Sequence, residues 1–247
     1  MNTVFKLTDV SVRFAQHAAP PKSLKHALST MFDDDDAHEF QALTRVNLAI
    51  DAGEHVGIIG RNGAGKSTLL RVLSRVIVPQ EGGVYADRTK HIVPMLELGI
   101  GFQPDLSGRE NCLLAGILTG YSRVEMHAKM EGILAFSELG AFFDQPVRTY
   151  SSGMYARLAF ALATDVRPEV LLVDEVFGVG DEFFMEKCLV RMRALMAAGT
   201  TTVFVSHNLD FLATHCERLI WLDHGAVAMD GRPAAVAAAY LEEGPAR

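Results

Sequence analysis

The residues best equipped for chemistry are Gly60-Arg61-Asn62-Gly63-Ala64-Gly65-Lys66-Ser67-Thr68. They fit G-x-x-x-x-G-K-[ST], a loop whose backbone amides cradle the phosphates of a nucleotide. Glycines at Gly60, Gly63 and Gly65 let the backbone take conformations other residues resist and come close to an anion. The first amides of a helix have no intrahelical acceptor and point at such an anion. In this pattern Lys66 reaches the β- and γ-phosphates, Ser67 ligates Mg2+ and Thr68 contacts the α-phosphate. A second candidate is Asp174-Glu175, which closes the apolar run Val170-Leu171-Leu172-Val173. A carboxylate at the end of a neighbouring buried strand holds Mg2+ in phosphate-loop enzymes, which suits Asp174. Glu175, one residue on, is placed to polarise an attacking water. His207 ends a β-branched run and can hydrogen-bond a γ-phosphate, although a histidine at a strand end is more often structural.

These residues need elements to hold them. His55–Ile59 reads as a short buried strand before the loop, and Thr68–Leu73 has helical spacing after it. Upstream, Phe5 to Phe14 alternates as a half-buried strand with a bulge expected at Asp9. Phe14 is an aromatic that stacks on an adenine ring if exposed and is an edge or core residue if not. Residues 15–41 form an insertion, with a short amphipathic helix expected over Ser23–Phe32. The run Asp33-Asp34-Asp35-Asp36 after it reads as a solvated loop, with a metal site as the alternative. Ala42–Ile50 is a second alternating strand, and short strands are expected at Val84–Ala86 and His91–Val93.

From about 105 to 165 strand signals vanish. Ser107 with Glu110, and Ser122 with Glu125, each predict a helix start with a capping box. A third helix starts near Ser151. An all-helical subdomain is therefore expected within an α/β core. Helices are expected over Glu182–Ala197 and Leu209–Cys216. Between Leu219–Leu222 and Ala226–Met229 the turn Asp223-His224-Gly225 predicts a hairpin. A last helix runs from Pro233 to Leu241, with proline in its first turn.

Composition sets wider bounds. The 247 residues, 49% of them hydrophobic, suffice for one large domain or a core with a subdomain. A net charge of -7 argues against nucleic acid as a partner. Cys112, Cys188 and Cys216 form no C-x-x-C and read as reduced thiols. No apolar stretch is long enough for a membrane span, and Met1–Lys6 lacks a signal-peptide layout.

Gly60–Thr68, Gln103, Tyr150-Ser151-Ser152-Gly153-Met154, Val170–Glu175, Gly178-Val179-Gly180-Asp181 and Ser206-His207 follow the order and spacing of an ABC transporter ATPase, which the chain resembles over nearly its whole length. The resemblance implies a RecA-like parallel-sheet core, an N-terminal antiparallel β subdomain and an inserted helical subdomain, all in one nucleotide-binding domain over 1–247. Tyr150–Met154 stands where the family has Leu-Ser-Gly-Gly-Gln, keeping Ser151 and Gly153. It further implies a homodimer that sandwiches two ATP molecules head to tail with Mg2+. Each site then takes Lys66, Ser67, Asp174, Glu175, Gln103 and His207 from one copy and Ser151 and Gly153 from the other. Gln103 senses Mg2+ and the attacking water, Asp181 couples the two sites, and Phe14 stacks on adenine where the family more often has Tyr.

The Tyr150–Met154 variant, with Gly108-Arg109-Glu110-Asn111 and Val173–Asp181, resembles the ATPases of polysaccharide export: O-antigen, capsule and teichoic acid exporters. This implies a peripheral subunit on the cytoplasmic face of the inner membrane. Its partner there is a separate polytopic transmembrane permease, which carries a lipid-linked glycan. The 15–41 insertion resembles the extra helix of the O-antigen branch. No C-terminal carbohydrate-binding domain is expected before Arg247. The competing reading is a soluble ABC ATPase not coupled to transport. A GTPase or small-molecule kinase is disfavoured because no Asn-Lys-x-Asp motif occurs, and a degenerate glycan-binding module because the catalytic positions hold competent residues.

Overall fold

The computed structural model describes residues 2–15, 39–95, 101–166, 168–174 and 181–243. The expected helix Ser23–Phe32 and the run Asp33–Asp36 lie outside them.

β1 (Thr3–Ala15) and β2 (Glu39–Asp51) pair antiparallel, and β4 (Glu81–Ala86) adds to the other edge of β1. The two long strands reach closer to each other in sequence than the 15–41 insertion allows, since β2 begins at Glu39. The bulge at Asp9 is present. Asp9 takes φ 51°, the pairing slips between Leu7 and Val10, and the Asp9 amide and carboxylate both bond the Asn47 side chain at 3.0 and 2.9 Å. Asparagine and aspartate tolerate or support this left-handed backbone better than branched residues do.

The second sheet has six strands in the order β5-β6-β7-β3-β8-β9. They are β3 (His55–Ile59), β5 (Ile92–Met95), β6 (Val170–Asp174), β7 (Thr201–Val205), β8 (Arg218–Asp223) and β9 (Ala226–Gly231). All pair in parallel except β9, which returns antiparallel from β8 through the expected hairpin. Central parallel strands are covered on both faces, which is why β3, β6 and β7 read as near-continuous apolar runs. The strand period of two then splits their side chains between two cores. Val170, Leu172, Val203 and Val205 face β1, β2 and α1 (Lys66–Leu73), while Leu171, Val173 and Phe204 face the other helices.

The elements between Gly108 and Asp165 are all helical: α2 (Gly108–Leu118), α3 (Arg123–Ser137), two 3-10 turns and α4 (Ser152–Asp165). Both expected capping boxes form, Ser107 with Glu110 and Ser122 with Glu125. The core side contributes α5 (Glu182–Ala197), α6 (Leu209–His215) and α7 (Pro233–Glu242), the last with Pro233 at its start.

A cation-and-aromatic junction ties α3 and α4 to α5. Phe136 stacks on Phe160, and both meet Phe184 edge-on. Above this cluster Glu138, just past α3, accepts from Lys187 at 2.7 Å and from Arg157 at 3.1 Å. Lys187 also donates to the Phe136 carbonyl, one of the last carbonyls of α3, where a cation is favourable.

The Lys187 hydrogen bond, with the Arg157 charge beside it, holds the Glu138 carboxyl below its ordinary value of 4.5. A lowered folded-state pKa means the contribution is complete above that value and is lost as pH falls through the folded pKa. Because the pair is half exposed, Glu138→Gln is expected to cost less than about 1 kcal/mol at pH 7. That difference should shrink toward zero by pH 3 in urea unfolding followed at both pH values. An equal loss at both would mean that the carboxylate's charge is not the source of the effect.

Candidate functional site

Gly60 follows β3, and Gly65 stands at the N-cap of α1 with φ 100° and no side-chain cap. In α2 through α6, by contrast, a Ser, Asp or Asn side chain accepts from the first turn. The uncapped N-terminus of α1 leaves the helix end available to an outside anion. Lys66 is buried at 7% exposure and its Nζ donates to the carbonyls of Gly60 and Arg61, at 2.8 and 3.0 Å. The ammonium is thus folded over the loop that it serves.

The loop is held by backbone on three sides. A Cβ on Gly65 would lie 2.4 Å from the Ala42 carbonyl oxygen of β2, and one on Gly225 would lie 2.8 Å from the same atom. A Cβ on Gly60 would lie 2.3 Å from the Leu222 carbonyl of β8. Hydrogen bonds complete the fit: Gly225 N donates to Ala64 O at 3.1 Å, and Thr44 N to Gly225 O at 2.8 Å.

A cavity of about 430 Å³ opens over this loop. Phe40, Asn62, Gly63, Gly65, Lys66, Ser67, Thr68 and Asp174 line it. Asp174 arrives from β6, which is not the neighbour of β3 that the sequence reading supposed: β7 runs between them. The reach across β7 follows from register, since Val205 pairs with both Asp174 and Ile58. Strand ends at the same level project their next residues over one edge. Gly60 lies two residues past Ile58, and His207 lies two residues past Val205.

Ser67 and Asp174 offer a hydroxyl and a carboxylate to one space. Hard oxygen donors in small number suit Mg2+, which keeps waters and phosphate oxygens for its other positions. Among the described residues no cluster of three or more His, Cys, Asp or Glu exists to hold a metal unaided. Glu175, with Gly178-Val179-Gly180, lies outside the described residues.

The remaining sites are distributed. Phe14 is 39% exposed and is not in the cavity wall. Its register partner Phe40 is, although by sequence alone it falls within the 15–41 insertion. Directly opposed residues share a face of the pair, so Phe14 and Phe40 lie side by side on one face. Gln103 and His207 are exposed and do not line the cavity in this structure. Ser151 caps α4, its hydroxyl accepting from Met154 N at 3.2 Å, and with Gly153 stands outside its own chain's cavity. Asp181 caps α5, accepting from Phe184 N, and pairs with Arg157. Hydrogen bonding to Phe184, then the Arg157 charge, holds the Asp181 carboxyl below the usual range. Asn111 and Arg157 also escaped notice as single residues. Asn111 was visible only as one member of a longer motif.

Comparison with known proteins points the same way. A family model described as ABC transporter matches residues 43–178. The O-antigen export system ATP-binding protein RfbB of Myxococcus xanthus is 49% identical over 207 residues, covering 84% of this chain and 47% of that protein. ABC transporter protein AbcA of Aeromonas salmonicida is 41% identical, covering 96% of this chain and 75% of its own length. The teichoic acids export ATP-binding protein TagH of Lactococcus lactis is 39% identical over 90% of this chain and 47% of that protein. The chain therefore spans about half the length of two of these relatives. Among solved structures, a dimeric post-hydrolysis state of an ATP-binding cassette bound to ADP and Pi aligns with a TM-score of 0.74 at 26% identity. That alignment covers 93% of this chain and 98% of the other. An ATP-binding subunit of an ABC transporter aligns at 0.75 and 21% identity, over 98% of this chain and 95% of its own, which bears on the fold alone.

Gly225 combines a positive φ of 80° with the close approach to Ala42. Gly225→Ala is expected to cost about 1–3 kcal/mol in urea unfolding from backbone strain. It should also weaken ATP binding at least about fivefold, measured by calorimetry, because the shift is passed to Ala64. Loss of stability with unchanged affinity would mean that the hairpin does not position the loop.

Proposed function

The chain belongs to the ABC transporter family, and we propose that it is the ATP-hydrolysing subunit of a polysaccharide exporter, working as a head-to-tail homodimer. The observation that carries this reading is the convergence of Lys66, Ser67, Thr68 and Asp174 on one cavity at an uncapped helix N-terminus. In it, the amides of the loop and the α1 terminus take the phosphates, and Lys66 exchanges its contacts to Gly60 and Arg61 for phosphate oxygens. Ser67 and Asp174 would hold Mg2+, which would screen the phosphate charge. Glu175 orients the attacking water and His207 the γ-phosphate. Phosphoryl transfer to water depends mainly on such positioning and charge stabilisation.

The dimer is supported by where Ser151 and Gly153 stand. They sit at the start of a helix, a natural anion site, yet outside the cavity of their own chain. In a head-to-tail pair they meet the γ-phosphate held by the other copy. The dimeric form of the similar cassette agrees. A glycan cargo is supported by relatives named for O-antigen and teichoic acid export and by the resemblance of the Tyr150–Met154 variant to the ATPases of polysaccharide export. Among the described residues no helix is long and apolar enough to cross a membrane. The chain then acts at the cytoplasmic face of the inner membrane with a separate permease that carries the lipid-linked glycan.

ATP hydrolysis by the purified chain tests the reading. Glu175→Gln is expected to lower kcat about a hundredfold or more, the scale of a lost general base, and to elute as a dimer in ATP and Mg2+. Equal rates in variant and wild type, both monomeric, would remove Glu175 and the sandwich together.

The place of Phe40 in the cavity wall supports it as the platform for the adenine ring. Phe40→Ala is expected to raise the Kd for ATP about tenfold, since base stacking on an aromatic is worth about 1–3 kcal/mol. Phe14→Ala should change it less than about threefold. The reverse order would restore Phe14 as the platform.

A further inference from the structure

Asn111 is a buried polar side chain in the helical region, with little room to act as anything but a fastener. It is 1% exposed on the first turn of α2, beneath the loop that carries Gln103. Its Oδ1 accepts from the Gln103 amide at 2.6 Å. Its Nδ2 donates toward the carbonyls of Gln103, Leu106 and Ser107 at 3.0, 3.1 and 3.0 Å. One side chain thus holds both backbone polar groups of Gln103 and the loop's return into the helix. The chemistry fixes its orientation, because only an amide presents an acceptor to an N–H and donors to carbonyls at once.

The far side of that loop is fastened as well. Arg148 N donates to Pro104 O and Val147 N to Leu106 O, each at 2.9 Å. Ser107 forms an isolated bridge with Pro146. This second strip of backbone leads within a few residues to Ser151. The loop bearing Gln103 and the approach to Ser151 are therefore one hydrogen-bonded layer, and Asn111 is its buried peg.

We infer that Asn111 is a positioning residue for ATP hydrolysis: by gripping the Gln103 backbone it sets where the Gln103 side chain meets the nucleotide and makes the Ser151 approach follow that loop. This rests on the ATPase reading above and on Gln103 as the residue that meets Mg2+ and water. Asn111 is buried and does not line the cavity, so its effect must run through Gln103. That separates it from a residue that merely stabilises α2. Glu110 supplies the comparison. It closes the capping box on the same first turn, with Ser107 N and Oγ at 2.8 and 2.7 Å, and has no bond to Gln103.

The test is a double-mutant cycle read in steady-state ATPase assays, with amide exchange at Gln103 as a readout independent of activity. Asn111→Ala is expected to lower kcat at least tenfold with KM for ATP within about twofold, and to speed exchange of the Gln103 amide. In the Gln103→Ala background it should lower kcat no further. Glu110→Ala should lower Tm while keeping kcat within about twofold of wild type. Should Asn111→Ala not fold, Asn111→Ser, which keeps one donor, takes its place with the same expectations. Multiplying losses in the double variant, or unchanged exchange at Gln103, overturns the inference while leaving the ATPase reading intact. A wild type that hydrolyses no ATP overturns that reading and this role with it. A Gln103→Ala variant at the wild-type rate removes Gln103 from the site and this role alone.

Discussion

The structure depends on a contact between backbones. Ala42 of the antiparallel sheet presents its carbonyl to Gly65 of the phosphate loop and Gly225 of the β8–β9 hairpin, in spaces where no Cβ fits. Gly60 makes the same kind of approach to Leu222. Side chains hop between rotamers, but backbone pressed on backbone in a dense interior has little freedom to relax. The two sheets meet at the loop itself, so the position of the phosphate site is the position of their junction. This explains why glycine is required where no nucleotide contact demands it, as at Gly225. It also explains why the antiparallel sheet supplies a wall of the cavity through Phe40: β2 is already anchored two residues later, at Ala42.

The helical region is attached by different means. Its junction with α5 is made of side chains: aromatic rings stacked beneath Arg157, Lys187 and Glu138. Arg157 also reaches Asp181, the cap of α5 and the end of the segment that begins at Asp174 in the cavity wall. Its other attachment is the layer around Gln103, made of backbone hydrogen bonds pegged by Asn111. Long flexible cations over rings tolerate small rotations, whereas a pegged backbone layer transmits them. A body held in this way can tilt about the first attachment while being driven through the second. That division of labour suits a domain in which ATP at one edge must be felt some distance away.

Much of this was legible in the sequence, and the limits have a physical pattern. The Asp9 bulge, both capping boxes, the Pro233 start and the hairpin at Gly225 are encoded within a few neighbouring residues, where local backbone chemistry leaves one solution. Asp174 was legible as a strand-end carboxylate, but not the strand that separates it from β3. Sequence shows that a run is apolar on both faces, and that property is the same for every central parallel strand. The order of β7 between β6 and β3 is a long-range choice. Phe40 was missed for a related reason. It abuts a segment without period, and only the pairing of β1 with β2 reveals that it shares a face with Phe14. Asn111 carries no signal in isolation, because a helical asparagine in its first turn is ordinarily solvated. Its role appears once the loop of Gln103 is folded over it.

The helix N-termini carry the argument for two copies furthest. Most helices here satisfy their first amides internally, with Ser107, Ser122, Asp181 or Asn208. α1 does not, and its end faces the cavity, where an anion can complete it. α4 is intermediate. Ser151 accepts from Met154 N, which settles one amide of its own helix. A hydroxyl that accepts still has its proton to donate, and Gly153 beside it keeps the approach to the backbone open. Such an end is stable in the separate chain, unlike a bare terminus buried without a partner, yet it can still bind a phosphate oxygen brought from outside. A site divided between chains needs that combination. In the proposed head-to-tail pair, the half that holds nucleotide can wait for its ligand, while the half that completes it has to persist alone and engage only when a second copy presents the γ-phosphate.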